Sequence, residues 1–123
     1  MRLKRNRLKQ YHHRTAVQAK DNEGNSYTEY GEAKPVTAEI WPAGGKLQAE
    51  IYGQKLSYIR NCRLDGEYKT QTDEKGRVSY LSGTKLIREG DGICLDVPGE
   101  SDPDYKIIAI RPYRYLYMEL EKL

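Results

Sequence analysis

The chain contains no Phe, a single Trp, two Cys and two Met in 123 residues. Two cysteines, Cys62 and Cys94, exclude a disulfide framework and fit a reducing compartment. Leu, Ile and Val together number 23, or about 19% of the chain, near the level at which a sequence no longer buries a core. No run of 18 apolar residues is present, so no helical membrane span is expected. The opening Met1–Lys9 also lacks the apolar stretch of a signal peptide. There is no C-x-x-C or H-x3–5-H spacing to build a zinc site. Gly44-Gly45-Lys46 is too short for a phosphate-cradling loop. No cofactor or metal is expected.

Tyrosine fills the gap. Eleven Tyr supply apolar area, and each carries a hydroxyl that needs water or a partner. The net charge of +3 is too small to favour disorder, so the chain is expected to fold as one domain around a thin core. The charge is unevenly spread. Residues 1–20 carry seven cations and no acid, whereas the remaining 103 hold 14 basic and 18 acidic groups. A basic arm on an acidic body suits contact with nucleic acid or with the acidic face of a neighbouring copy.

Along the chain, period-two patterns dominate. Tyr11–Ala19 alternates and is followed by the turn Asp21-Asn-Glu-Gly-Asn25 and a returning strand Ser26–Tyr30. Val36–Trp41 is a strand ended by Pro42. Lys46–Tyr52 has helical composition, with Leu47 and Ile51 at i and i+4 and Gly53 as a stop. Strands are then predicted at Ser57–Leu64, Tyr68–Thr72, Arg77–Leu81, Ile93–Val97, Tyr105–Arg111 and Tyr113–Leu120. Short strands, frequent turns and one small helix indicate an all-β barrel or sandwich.

Groups able to do chemistry are sparse. His12 and His13 are adjacent, so on a strand they point to opposite faces and cannot share one ion. Cys62 and Cys94 sit in alternating strand patterns, the setting of buried, inert thiols. Asp91, Glu100, Asp102 and Asp104 lie among Gly and Pro, where Asp is used for local turn bonds. No catalytic constellation emerges, and the chain is not expected to be an enzyme. Cations interleaved with tyrosines on a small barrel can bind single strands by phosphate neutralisation and stacking. The same tyrosines can instead cover a core or a subunit contact.

Four blocks carry a family resemblance. They are Leu8–Gln18 with Asp21–Gly24 and Tyr27–Tyr30; Val36-Thr-Ala-Glu-Ile-Trp-Pro42; the helix Lys46–Gly53 with the strand Tyr58–Arg63; and the ending Tyr105–Ile110 with Tyr115–Glu121. In this order and spacing the chain resembles the phage head–tail joining, or head-closure, proteins. The resemblance implies a small antiparallel barrel of about six strands, with a short helix after the third strand. It further implies a structural subunit that forms a ring between the portal-bearing head and the tail, and closes or continues the DNA channel. The implied partners are further copies of the chain, a portal or adaptor protein on the head side and a tail protein on the other. Packaged DNA is a further, non-specific contact, and no membrane is involved. The implied location is the virion junction, with the host cytoplasm during assembly. Head-closure and tail-completion roles both stay open.

The expected organisation is one domain over residues 1–123, with a basic arm over about 1–10 and a polar hairpin region over about 65–90. Arg2, Lys4, Arg5 and Arg7 are the expected arm contacts with a subunit or DNA. Tyr113, Tyr115 and Tyr117 are the expected subunit interface. Asp73, Glu74 and Lys75 form a loop expected to face the channel or a neighbour. The alternative function is a small single-stranded nucleic-acid-binding barrel.

Overall fold

The computed structural model describes residues 7–123. Arg2, Lys4 and Arg5 therefore lie outside the described residues. The chain forms a closed antiparallel barrel with one short helix, as the sequence predicts. Its strands in chain order are β1 (Lys9–Arg14), β2 (Ala16–Lys20), β3 (Ser26–Tyr30), β4 (Lys34–Pro42), β5 (Ile59–Leu64) and β6 (Lys69–Thr72). They continue with β7 (Val78–Ser82), β8 (Lys85–Ile87), β9 (Gly92–Cys94), β10 (Tyr105–Pro112) and β11 (Leu116–Lys122). Helix α1 (Lys46–Tyr52) and a 3-10 segment (Gly53–Tyr58) connect β4 to β5. Barrel order is β1-β4-β5-β11-β10-β9, closing on β1. Strands β2-β3 and β6-β7-β8 form two small sheets outside the barrel.

Alternation along β11 sends Leu116, Met118 and Leu120 inward, where each is 1% exposed or less. They join Val36, Ala38, Cys62, Leu64, Ile93, Ile107 and Ile110 in one contiguous core. Each fully buried aliphatic side chain contributes about 1.5–3 kcal/mol, so a short list suffices. Ile107 and Ile110 both reach this core although they are three residues apart. The ladder with β11 shifts register between Ile107 and Ala109, and that bulge resets the face. Tyr80 and Ile87 carry the core out into the β6-β7-β8 sheet. The region expected as a polar hairpin is thus three-stranded and anchored by two buried side chains. Its third strand, β8, follows the two-residue Gly83-Thr84 loop, a hairpin signal that the sequence reading passed over.

The predicted strand Tyr11–Ala19 divides at Thr15. Gly31 N–H donates to the Thr15 carbonyl (2.8 Å) and Ala16 N–H donates to the Asp91 carboxylate (3.0 Å), so the chain leaves the barrel there. Its face changes with it. His13 is 2% exposed, whereas Val17, expected on the same side, is 52% exposed. The helix still follows the third predicted strand, which this division makes β4. The predicted strand Tyr113–Leu120 also starts later, because Tyr113 and Tyr115 belong to the bend between β10 and β11.

Asp91 is the tie that closes the barrel. Its Oδ2 faces His13 Nε2 at 2.8 Å and accepts from Arg88 N at 2.9 Å, while Oδ1 takes Ala16 N. An ionised carboxylate only accepts, so Nε2 of His13 carries the hydrogen. Beside it, Gly92 permits a close approach: a Cβ there would lie 2.9 Å from Tyr30 Cε1 and nearer still to Pro103. Sequence reasoning read His13 as an ordinary strand histidine and Asp91 as a turn residue. Only the bond from Arg88 N is local; those to His13 and Ala16 N span 78 and 75 residues, and that separation hid them.

Candidate functional site

The outer surface of β4, β5 and β11 carries the most organised chemistry. Antiparallel register places Trp41 opposite Asn61 and Asn61 opposite Glu119, all pointing outward. The next outward row is Glu39, Arg63, Tyr117 and Arg111. Helix α1 lies over the first row. Gln48 Nε2 donates to Glu119 Oε2 (2.7 Å) and to Asn61 Oδ1 (2.6 Å). Tyr117 OH donates to Asn61 Oδ1 (2.7 Å), and Arg111 reaches Glu119 Oε1 at 3.0 Å. Glu119 is 1% exposed, so this charge is held by a guanidinium and an amide rather than by water.

Burial, with the Glu119 carboxylate beside it, pushes the Tyr52 phenol up to about 12. Burial likewise raises Tyr117. The helix is thereby seated through its polar side, Gln48 and Tyr52. Its apolar side, Leu47 (70% exposed) and Ile51 (53%), faces outward. The i, i+4 pair that marked the helix in the sequence is therefore not its packing face. Gly53 does end the helix, with φ of 55° and its N–H donating to the Ala49 carbonyl.

Next to the helix, rings and cations stack in a ladder. Tyr113 and Tyr117 are stacked with centroids 6.1 Å apart, and Trp41 sits tilted 6.1 Å from Tyr117. The Arg63 guanidinium lies over Trp41 at 5.1 Å. Arg7, the one of the four expected arm contacts that lies among the described residues, reaches Glu39 at 3.5 Å on this surface. Of the three tyrosines expected at an interface, Tyr113 and Tyr117 come together and Tyr115 does not join them. Alternation failed here because the chain is still turning at Tyr115. Trp41 and Arg63 were missed, and only the register of β4 on β5 reveals them.

Asp73, Glu74 and Lys75 are exposed at the tip joining β6 and β7. Asp73 Oδ1 accepts from the backbone of Lys75 (2.9 Å) and Arg77 (2.8 Å), which leaves Glu74 and Lys75 as the outward charges. The tip joining β2 and β3 repeats this arrangement, with Asp21 Oδ1 accepting from Glu23 and Asn25. Asp104 also bonds to backbone, but across a longer loop, accepting from Leu95 N and Asp96 N nine and eight residues away.

Among the described residues no three His, Cys, Asp or Glu side chains are grouped to hold a metal ion. Cys62 and Cys94 are free and buried, and burial pushes both thiols up, Cys94 with help from Asp104. A raised thiol has little thiolate at neutral pH and is a poor nucleophile. No described helix is long and apolar enough to cross a membrane. No protein-family model matches the chain, and no curated protein or solved structure is significantly similar to it.

Proposed function

We propose that the chain is a non-catalytic structural subunit of a phage head–tail junction, of the head-closure or head–tail connector kind. It would assemble as a ring between the portal-bearing head and the tail. The observation that carries this reading is the six-stranded antiparallel barrel with its helix inserted between β4 and β5, the architecture that the sequence resemblance implies. Two further features support it. The barrel interior is filled by side chains, so a DNA channel has to run between copies rather than through one. Helix α1 offers Leu47 and Ile51 to the outside, and Tyr113 is 63% exposed. Apolar side chains of this kind are normal cores of subunit contacts.

Replacing Arg2, Lys4, Arg5 and Arg7 with Ala is expected to block incorporation into particles while leaving the isolated domain folded by circular dichroism. Particles that join tails normally would remove the arm from the junction.

The ladder of Tyr113, Tyr117, Trp41 and Arg63 favours the second reading, a single-stranded nucleic-acid-binding barrel. The connector reading ranks above it because the Trp41 ring already has the Arg63 guanidinium over it and Tyr117 beside it within the chain. Titration with a short single-stranded DNA at two salt concentrations separates them. Affinity falling steeply with salt, with quenching of ring fluorescence, belongs to the second reading.

A further inference from the structure

The β2-β3 and β6-β7-β8 sheets stand either side of an open groove of about 840 Å³. Val17, Val78 and Tyr80 give it apolar walls, and Arg77, Arg88 and Glu89 stand on its rim. Val17 and Val78 are about half exposed (52% and 46%). Among the described residues Arg7, Lys55, Arg60 and Arg111 each meet a carboxylate, and the other Lys and Arg side chains do not. Arg77 and Arg88 meet none within ion-pair distance, and the one hydrogen bond of the Arg88 guanidinium is a 3.5 Å contact to the Ala16 carbonyl. Glu89 shares the rim without pairing to either. The Asp91 carboxylate is committed to His13 and two backbone N–H groups.

The β2-β3 hairpin has the opposite problem. Residues 21–29 are all exposed, and the two strands pair only with each other. A lone two-stranded ribbon is marginal in water. This one is fixed at its root, where the Arg14 guanidinium donates to the carbonyls of Gly31 (2.7 Å), Tyr30 (3.0 Å) and Ser101 (2.7 Å). Along its length it carries Asp21 and Glu23 at the tip and Glu29 opposite Val17 near the root, against Lys20 alone. It is an acidic projection tied down at its root. Its tip residues do not line its own groove.

We infer that the acidic β2-β3 hairpin of one copy docks in the groove of the next copy, against Arg77 and Arg88. This rests on the ring-forming reading above and names the contact that builds the ring. The two surfaces differ, so the contact is head-to-tail and propagates until the rotation closes. Opposite charges bring the surfaces together, and the incoming hairpin then covers the half-exposed Val17 and Val78.

Charge reversal of the full-length chain tests it. In sedimentation velocity the wild type is expected to form higher species that shift towards monomer as salt rises. The variants R77E/R88E and E23R/E29R are each expected to stay monomeric. Mixed in equal amounts they are expected to associate again, because every hairpin then meets a groove of opposite sign. That recovery also shows that both variants fold. A wild type that stays monomeric at every concentration, or an R77E/R88E variant that associates as the wild type does, overturns the pairing. Mixtures that stay monomeric overturn it too. Particle incorporation separates the two readings. Association through the groove without incorporation overturns the connector reading and keeps the pairing. Incorporation that survives both reversals does the opposite.

Discussion

Replacing Asp91 with Ala is expected to lower the stability of the domain by about 3–5 kcal/mol, since each buried donor left without an acceptor costs about 1–3 kcal/mol. Three donors lose their acceptor at once: His13 Nε2 and the backbone N–H groups of Ala16 and Arg88. His13 and Asp91 are 2% and 1% exposed, so water cannot replace the lost bonds without opening the barrel. Asp91 also joins segments distant in sequence. Its backbone carbonyl accepts from Ile107 N in β10, while its side chain holds the end of β1 and the start of β2. Since small domains are stable by only about 5–15 kcal/mol, the variant should unfold at a much lower urea concentration. Asp91→Asn keeps an acceptor and should lose less. A midpoint for Asp91→Ala within error of the wild type would mean that closure does not depend on this pair.

Replacing Glu119 with Ala is expected to cost about 3 kcal/mol and to act locally, on the seat of helix α1. Arg111, Gln48 and the Tyr52 phenol all lose the carboxylate that they face. The helix has no buried residue of its own to keep it in place. Amide protection should therefore fall over residues 46–58 and persist in β10 and β11. Tyrosine titration gives an independent reading, with the Tyr52 phenol moving back down from about 12 in the variant. The sign for stability follows. A phenol raised in the folded state favours folding below its unfolded value of about 10 and loses that contribution as pH rises through about 12. Wild-type stability should then fall between pH 10 and 12, and Tyr52→Phe should flatten that fall. Unchanged protection across residues 46–58 in Glu119→Ala would show that the helix is held by something else.

How much of this was legible in the sequence depended on the range of the interaction. Inward positions of β11 were readable, because Leu116, Met118 and Leu120 obey a period of two inside one strand. The turns at Asp21 and Asp73 were readable because each carboxylate bonds to backbone within four residues. The seat of α1 was not. Leu47 and Ile51 form the only apolar i, i+4 pair in that helix, and only the strand register beneath it makes Gln48 and Tyr52 the inward side. The same holds for Trp41 and Arg63, which become neighbours through pairing of β4 with β5. The break at Thr15 was hidden for a related reason. The acceptor that turns Ala16 out of the barrel lies 75 residues away.

The two buried thiols turn the barrel into its own reporter. Cys62 lies in β5 and Cys94 ends β9, strands on different sides of the barrel, and each is 1% exposed. A thiol reagent added to the folded chain can reach them only when the wall parts, so the labelling rate counts openings without any engineered probe. Equal rates at the two positions would mark concerted opening of the whole wall. A faster rate at Cys94 would mark a door at β9, the three-residue strand that closes the circle on β1.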